Sequence, residues 1–110
     1  MTYDDLVTAA RMFEGLTLET VTGKKFRVGV YLDCPFFTPE STGRGQSDGR
    51  MAAERFVARY NEIGSLRPGE YAQVTRNASY FIGLILAAQS ATGSQPSRIR
   101  RAADAGAPRS

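Results

Sequence analysis

Nine consecutive residues, Tyr80 to Ala88 (YFIGLILAA), carry no polar side-chain atom except the Tyr80 hydroxyl. The run is too short to span a bilayer, which takes about 20 apolar residues. With Thr75 as a candidate N-cap, it reads as the centre of a helix over RNASYFIGLILAAQSATG. A helix with no polar face must be covered on more than one side. Everything else in a chain of 110 residues must therefore wrap this helix, or a second copy of the chain must help. The second expectation assigns Phe81, Gly83, Leu84 and Ile85 to a homo-oligomer interface, with Gly83 permitting close approach. A central core helix within one chain is the alternative.

The remaining elements follow from periodicity. In residues 3–13, Leu6, Ala9, Ala10 and Phe13 recur at the spacing of one helical face. Thr2 followed by Asp5 has the form of a capping box, and Gly15 is placed to stop the helix. Phe26, Val28, Val30 and Leu32 then alternate with Arg27, Gly29, Tyr31 and Asp33, the period of a half-buried strand. Leu16 and Leu18 open a partner strand across a turn at Thr22-Gly23-Lys24-Lys25, giving an antiparallel hairpin. Phe36 to Thr38 can add a short third strand. The loop TPESTGRGQSDGR, Thr38 to Arg50, is rich in glycine and proline, and Asp48 is the expected cap of a helix over 50–63. That helix buries Ala52, Ala53, Phe56, Val57, Tyr60 and Ile63 and ends at Gly64. SLRPGEYAQ is read as a turn. The expected architecture is a single α+β domain over 1–93, ordered helix, hairpin, long loop, helix, helix, followed by a flexible basic tail over 94–110.

The formal charge is +3, and the tail holds all of the excess, with four arginines (98, 100, 101 and 109) against Asp104. Residues 1–93 hold ten basic and ten acidic side chains. A basic surface on the body must come from uneven placement. The chain has no histidine and one cysteine, Cys34, which excludes an internal disulfide and the usual zinc ligand sets. No cofactor or metal is expected, and the missing histidine argues against acid–base or nucleophilic catalysis. The acidic start, MTYDDLVTAARMFEG, does not resemble a signal peptide, so a cytoplasmic protein without membrane contact is expected.

Two groups of residues are candidate ligand contacts. Thr42, Arg44 and Arg50 lie in the Gly/Ser loop and at the helix start behind it, where backbone N–H groups and arginine can meet an anion. The spacing fits neither G-x-x-x-x-G-K-[ST] nor G-x-G-x-x-G. Arg76, Asn77 and Tyr80 lie on the first turns of the third helix. Together they suggest a non-enzymatic module for nucleic acid or another polyanion. A regulatory protein-binding subunit using Tyr31, Phe36, Phe37 and the third helix is one alternative. A small-ligand pocket lined by Phe26, Tyr60 and Tyr80 is another.

The order T-G-K-K-F, P-E-S-T-G-R-G, E-R-F, R-P-G-E-Y and T-R-N-A-S-Y over about residues 16–88 resembles small uncharacterised bacterial proteins of the mobile gene-cassette kind. It is also similar to accessory modules near restriction and defence genes. The resemblance implies a nucleic-acid or protein-binding role and supplies no catalytic residue.

Overall fold

The third helix lies at the centre of the molecule, and one missing side chain sets how closely the sheet approaches it. A computed structural model describes residues 1–91. The elements are α1 (Tyr3–Met12), β1 (Thr17–Glu19), β2 (Lys25–Tyr31), β3 (Cys34–Pro39), α2 (Gly49–Ile63), a short 3-10 turn (Pro68–Tyr71) and α3 (Ala78–Ala91). The strands form an antiparallel sheet in the order β1-β2-β3. This is the α+β class expected, with a longer third strand. The expected tail, with its four arginines, lies outside the described residues.

Phe26 and Val28 of β2 and Phe37 of β3 turn into the core with Leu6, Ala10, Phe56, Phe81, Ile82 and Leu84. The helices α1, α2 and α3 all pack on the sheet. Aromatic rings dominate the centre. Phe37 meets Phe81 edge-on at 5.2 Å between centroids, and Phe56 stacks on Phe81 at 4.8 Å. Such pairs add about 0.5–1.5 kcal/mol each beyond the burial of their area. Tyr71 of the 3-10 turn, read from the sequence only as part of a turn, also enters the core. Its ring lies 4.6 Å from that of Phe56, and its hydroxyl donates to the Ser65 carbonyl.

Within one chain Phe81, Gly83, Leu84 and Ile85 are all buried. The subunit interface expected on these four residues is therefore corrected, because the sheet, α1 and the 3-10 turn already cover them. Gly83 does permit close approach, but to the chain's own sheet. A Cβ at that position would lie 2.9 Å from the Glu19 carbonyl oxygen and 3.0 Å from the Phe26 ring.

β3 runs through two prolines without breaking. Phe37 exchanges both backbone hydrogen bonds with Gln46, on the side away from β2. Pro35 and Pro39 share its parity, so their missing N–H groups face that outer edge and cost no bond to β2. This parity lets the third strand extend to Cys34–Pro39, beyond the expected Phe36 to Thr38. The β2–β3 turn is unusual in another way. Leu32 and Asp33 both have positive φ, 51° and 57°, in a two-residue hairpin that ordinarily takes Asn-Gly. α1 secures it: Tyr3 donates to the Asp33 carbonyl at 2.7 Å, and Arg11 pairs with the Asp33 carboxylate. Burial of the Tyr3 hydroxyl, beside Cys34, pushes its pKa up to about 12.

The capping box of α1 is complete. Asp5 N–H donates to Thr2 Oγ1 at 3.0 Å, and Thr2 N–H donates to the Asp5 carboxylate at 2.9 Å. Phe13, not Gly15, is the C-cap; Gly15 N–H bonds the Val28 carbonyl and leads into β1. Gly64 ends α2 in the left-handed region, as expected.

Two outcomes test this packing. Gly83→Ala lowers unfolding stability by about 1–3 kcal/mol, the usual cost of overpacking a closed core, measured by chemical denaturation. Thr2 holds the Asp5 carboxyl below its ordinary value, through the backbone bond first and the side-chain bond second. A lowered carboxyl pKa contributes stability above the ordinary carboxylate range and loses it as pH falls through the lowered value. Asp5→Ala is therefore destabilising at neutral pH, and its difference from the parent chain shrinks in melts as the pH falls below the ordinary aspartate range.

Candidate functional site

The alternation that sends Phe26 and Val28 inward leaves Lys25, Arg27, Gly29 and Tyr31 on the opposite face of β2. Lys25, Arg27 and Tyr31 are exposed. The register sets Thr17 of β1 and Thr38 of β3 directly across from Arg27. These three side chains, with Pro39, Glu40 and Gly43, line an open cleft of about 300 Å³. Arg27 thus has a hydroxyl-bearing neighbour on each adjacent strand. Among the described residues it has no ion-pair partner.

The long loop borders this face and is anchored at several points. Gly43 N–H bonds the Pro39 carbonyl at 2.8 Å, closing a turn beside the cleft. Gln46 pairs with Phe37 as a one-residue extension of the sheet. Between them, Gly45 lies against the Phe36 ring, and a Cβ there would overlap it. The same ring lies across Gly29, so Phe36 is held between two glycines from β2 and the loop. Arg44 stands between Gly43 and Gly45 and is exposed. Its backbone N–H donates to Thr42 Oγ1 at 3.2 Å, so Thr42 shapes the turn that carries Arg44.

The other expected contacts are arranged differently. Asp48 does not cap α2, where no side-chain capping bond forms. Its carboxylate instead accepts from Thr75 Oγ1 at 2.6 Å and from Arg76 N–H at 2.9 Å. It thereby joins the end of the loop to the approach of α3. Thr75 also accepts from Asn77 N–H, and α3 starts two residues later than the sequence suggested. The Arg76 guanidinium lies 3.8 Å from the same aspartate. Arg50 pairs with Glu54 and lies over the Tyr3 ring, 4.5 Å from its centroid. Arg50 and Arg76 thus each have partners within the chain.

Asn77 is corrected as an exposed contact, whereas Tyr80 is half-buried with its ring packed against the core. Asn77 is 1% exposed, and its Nδ2 has no hydrogen-bond partner. The Tyr80 ring packs on Phe26 at 5.0 Å and on Phe37 at 5.6 Å. That packing also fills the space expected between Phe26 and Tyr80 as a ligand pocket, while Tyr60 stacks on Phe56 instead. The helical face that looked available from spacing is part of the core. Arg27, Thr17 and Thr38 were not among the expected site residues, although the period-two pattern already placed Arg27 outside; only the cross-strand register could add the threonines.

Among the described residues no group of three His, Cys, Asp or Glu side chains is positioned to hold a metal ion. No helix among them is long and apolar enough to cross a membrane. No family model, curated protein or solved structure matches the chain.

Asp48 is the joint between loop and helix, and its side chain is only 15% exposed. Asp48→Ala leaves the Thr75 hydroxyl and the Arg76 N–H without their acceptor and lowers stability by about 1–3 kcal/mol in denaturant titrations. An unchanged midpoint would show that the joint is not structural.

Proposed function

We propose that the chain is a non-enzymatic module that contacts nucleic acid or a related polyanion. Its contact surface is the outer face of the sheet together with the loop beside it. The observation that supports this reading most directly is the placement of Arg27, exposed between Thr17 and Thr38 in an open cleft, without a carboxylate partner among the described residues. Guanidinium and hydroxyl donors together suit the oxygens of a phosphate.

Pairing makes the charge on the neutral body uneven. Arg11, Arg50, Arg59 and Arg76 face Asp33, Glu54, Glu62 and Asp48. Six cations have no such pairing among the described residues: Lys24, Lys25, Arg27 and Arg44 belong to the hairpin and the bordering loop, and Arg55 and Arg67 lie elsewhere, on α2 and after it. Arg50 and Arg76 are exposed and can assist by exchanging partners, at a cost of a few tenths of a kcal/mol for each surface pair given up. With so few clustered cations the affinity is modest, and its salt dependence follows the small number of phosphates neutralised.

Fluorescence anisotropy with a labelled oligonucleotide tests the proposal on the full chain. Arg27→Ala with Arg44→Ala weakens binding and reduces the slope of log affinity against log salt by about one for each phosphate that is no longer neutralised. Arg59→Ala, which removes an already paired arginine, leaves both quantities unchanged. Absence of binding to any oligonucleotide at low salt would overturn the proposal.

A further inference from the structure

We propose that this surface takes single-stranded nucleic acid, with an unstacked base lying on Tyr31 and the phosphate chain crossing at Arg27. The inference rests on the polyanion reading above and specifies its ligand. Tyr31 is 65% exposed, and Leu32 beside it is 82% exposed. An open aromatic ring at the end of β2 contributes little to the core. The Phe36 ring lies 6.4 Å away at a tilt of 54°. Because Gly45 lies against the Phe36 ring and Gly29 lies next to it in β2, Tyr31 projects beside a ring packed between strand and loop.

Arg27 and Tyr31 share one face of one strand, four residues apart, a distance of about 13 Å. A basic row leading to a ring is the arrangement that single strands use: cations follow the backbone, and bases stack on aromatic faces without regard to sequence. A duplex cannot use such a ring, because its base faces are already covered by their neighbours and only base edges and phosphates are offered. Charge along the path is mixed: Glu19 stands opposite Lys25 across the β1–β2 ladder and Glu40 lines the cleft, whereas Arg27 itself has threonine on both sides, so Arg27 is the cation directed to the phosphate chain.

The test compares one oligonucleotide as single-stranded DNA, as single-stranded RNA and as duplex, with inorganic polyphosphate as a fourth ligand, at matched salt. The expected result is single-strand binding, of DNA or RNA, at least about tenfold tighter than duplex binding. Tyr31→Ala weakens the single-strand complex by roughly five- to a hundredfold, the usual effect of removing one stacking ring. It leaves polyphosphate binding unchanged, and Tyr31→Phe retains the parent affinity. Because Tyr31 lies outside the core, thermal melts of both variants match the parent. Equal affinity for duplex and single strand would overturn the inference. So would an intact single-strand affinity in Tyr31→Ala alongside a loss in Arg27→Ala, although the polyanion reading would then stand. If no ligand of the four binds, both are overturned.

Discussion

The contact between Gly83 and the Glu19 carbonyl governs much of the molecule. At that point α3 lies directly on the sheet, with no side chain between helix and strand backbone. The close approach lets Phe81, Ile82, Leu84 and Ile85 reach neighbours around the helix and lets the Phe26 ring fit against its backbone. An apolar helix thus finds cover around Phe81 to Ile85 in a small domain, while Tyr80, Leu86, Ala87 and Ala88 stay half-buried. The sheet covers one flank, and α1, the 3-10 turn and Phe56 of α2 supply the rest. Tyr71 is part of this cover, which explains why a turn residue is almost fully buried.

With all the helices gathered on one side, the sheet's other face is left to solvent and to the loop. That division of labour creates the candidate site. The same strand supplies Phe26 and Val28 to the core and Arg27 and Tyr31 to the surface, so the position of the cationic row is set by the packing behind it. A rigid strand backed by a close-packed core holds such groups more steadily than a free loop. The loop's own contribution is limited and specific: Gly45 makes room for the Phe36 ring, and Gln46 extends the ladder beside Phe37.

Most of the architecture was legible from periodicity. The helical spacing of Leu6, Ala9, Ala10 and Phe13, the alternation of Phe26, Val28 and Val30 and the apolar stripe from Ala52 to Ile63 all mark elements that form, whereas Leu32, expected to continue the inward face, lies in the β2–β3 turn and is exposed. The exceptions have physical causes. The length of β3 depended on which way Pro35 and Pro39 face, and this is decided by pairing with β2. Asp48 looked like a local cap because Asp before a helix usually is one, yet a partner 27 residues away, Thr75, offers its hydroxyl. The interface assigned to Phe81, Gly83, Leu84 and Ile85 followed from underestimating how much of α3 one small chain can enclose. At the site, Arg44 was visible in its loop, whereas the setting of Arg27 arises only once Thr17 and Thr38 are brought alongside it from two other strands.

The β2–β3 turn places Leu32 and Asp33 in a backbone region that neither residue favours, at a cost of roughly 1–2 kcal/mol for each. The β2–β3 ladder offsets part of that cost, and the Tyr3 hydroxyl and the Arg11 guanidinium, both from the opening helix, offset more of it. The turn is accordingly held in part from outside, by α1. Tyr31, the ring at the edge of that turn, keeps its position in part through a helix that it does not touch in sequence, so the first dozen residues of the chain act as the splint for its most exposed aromatic.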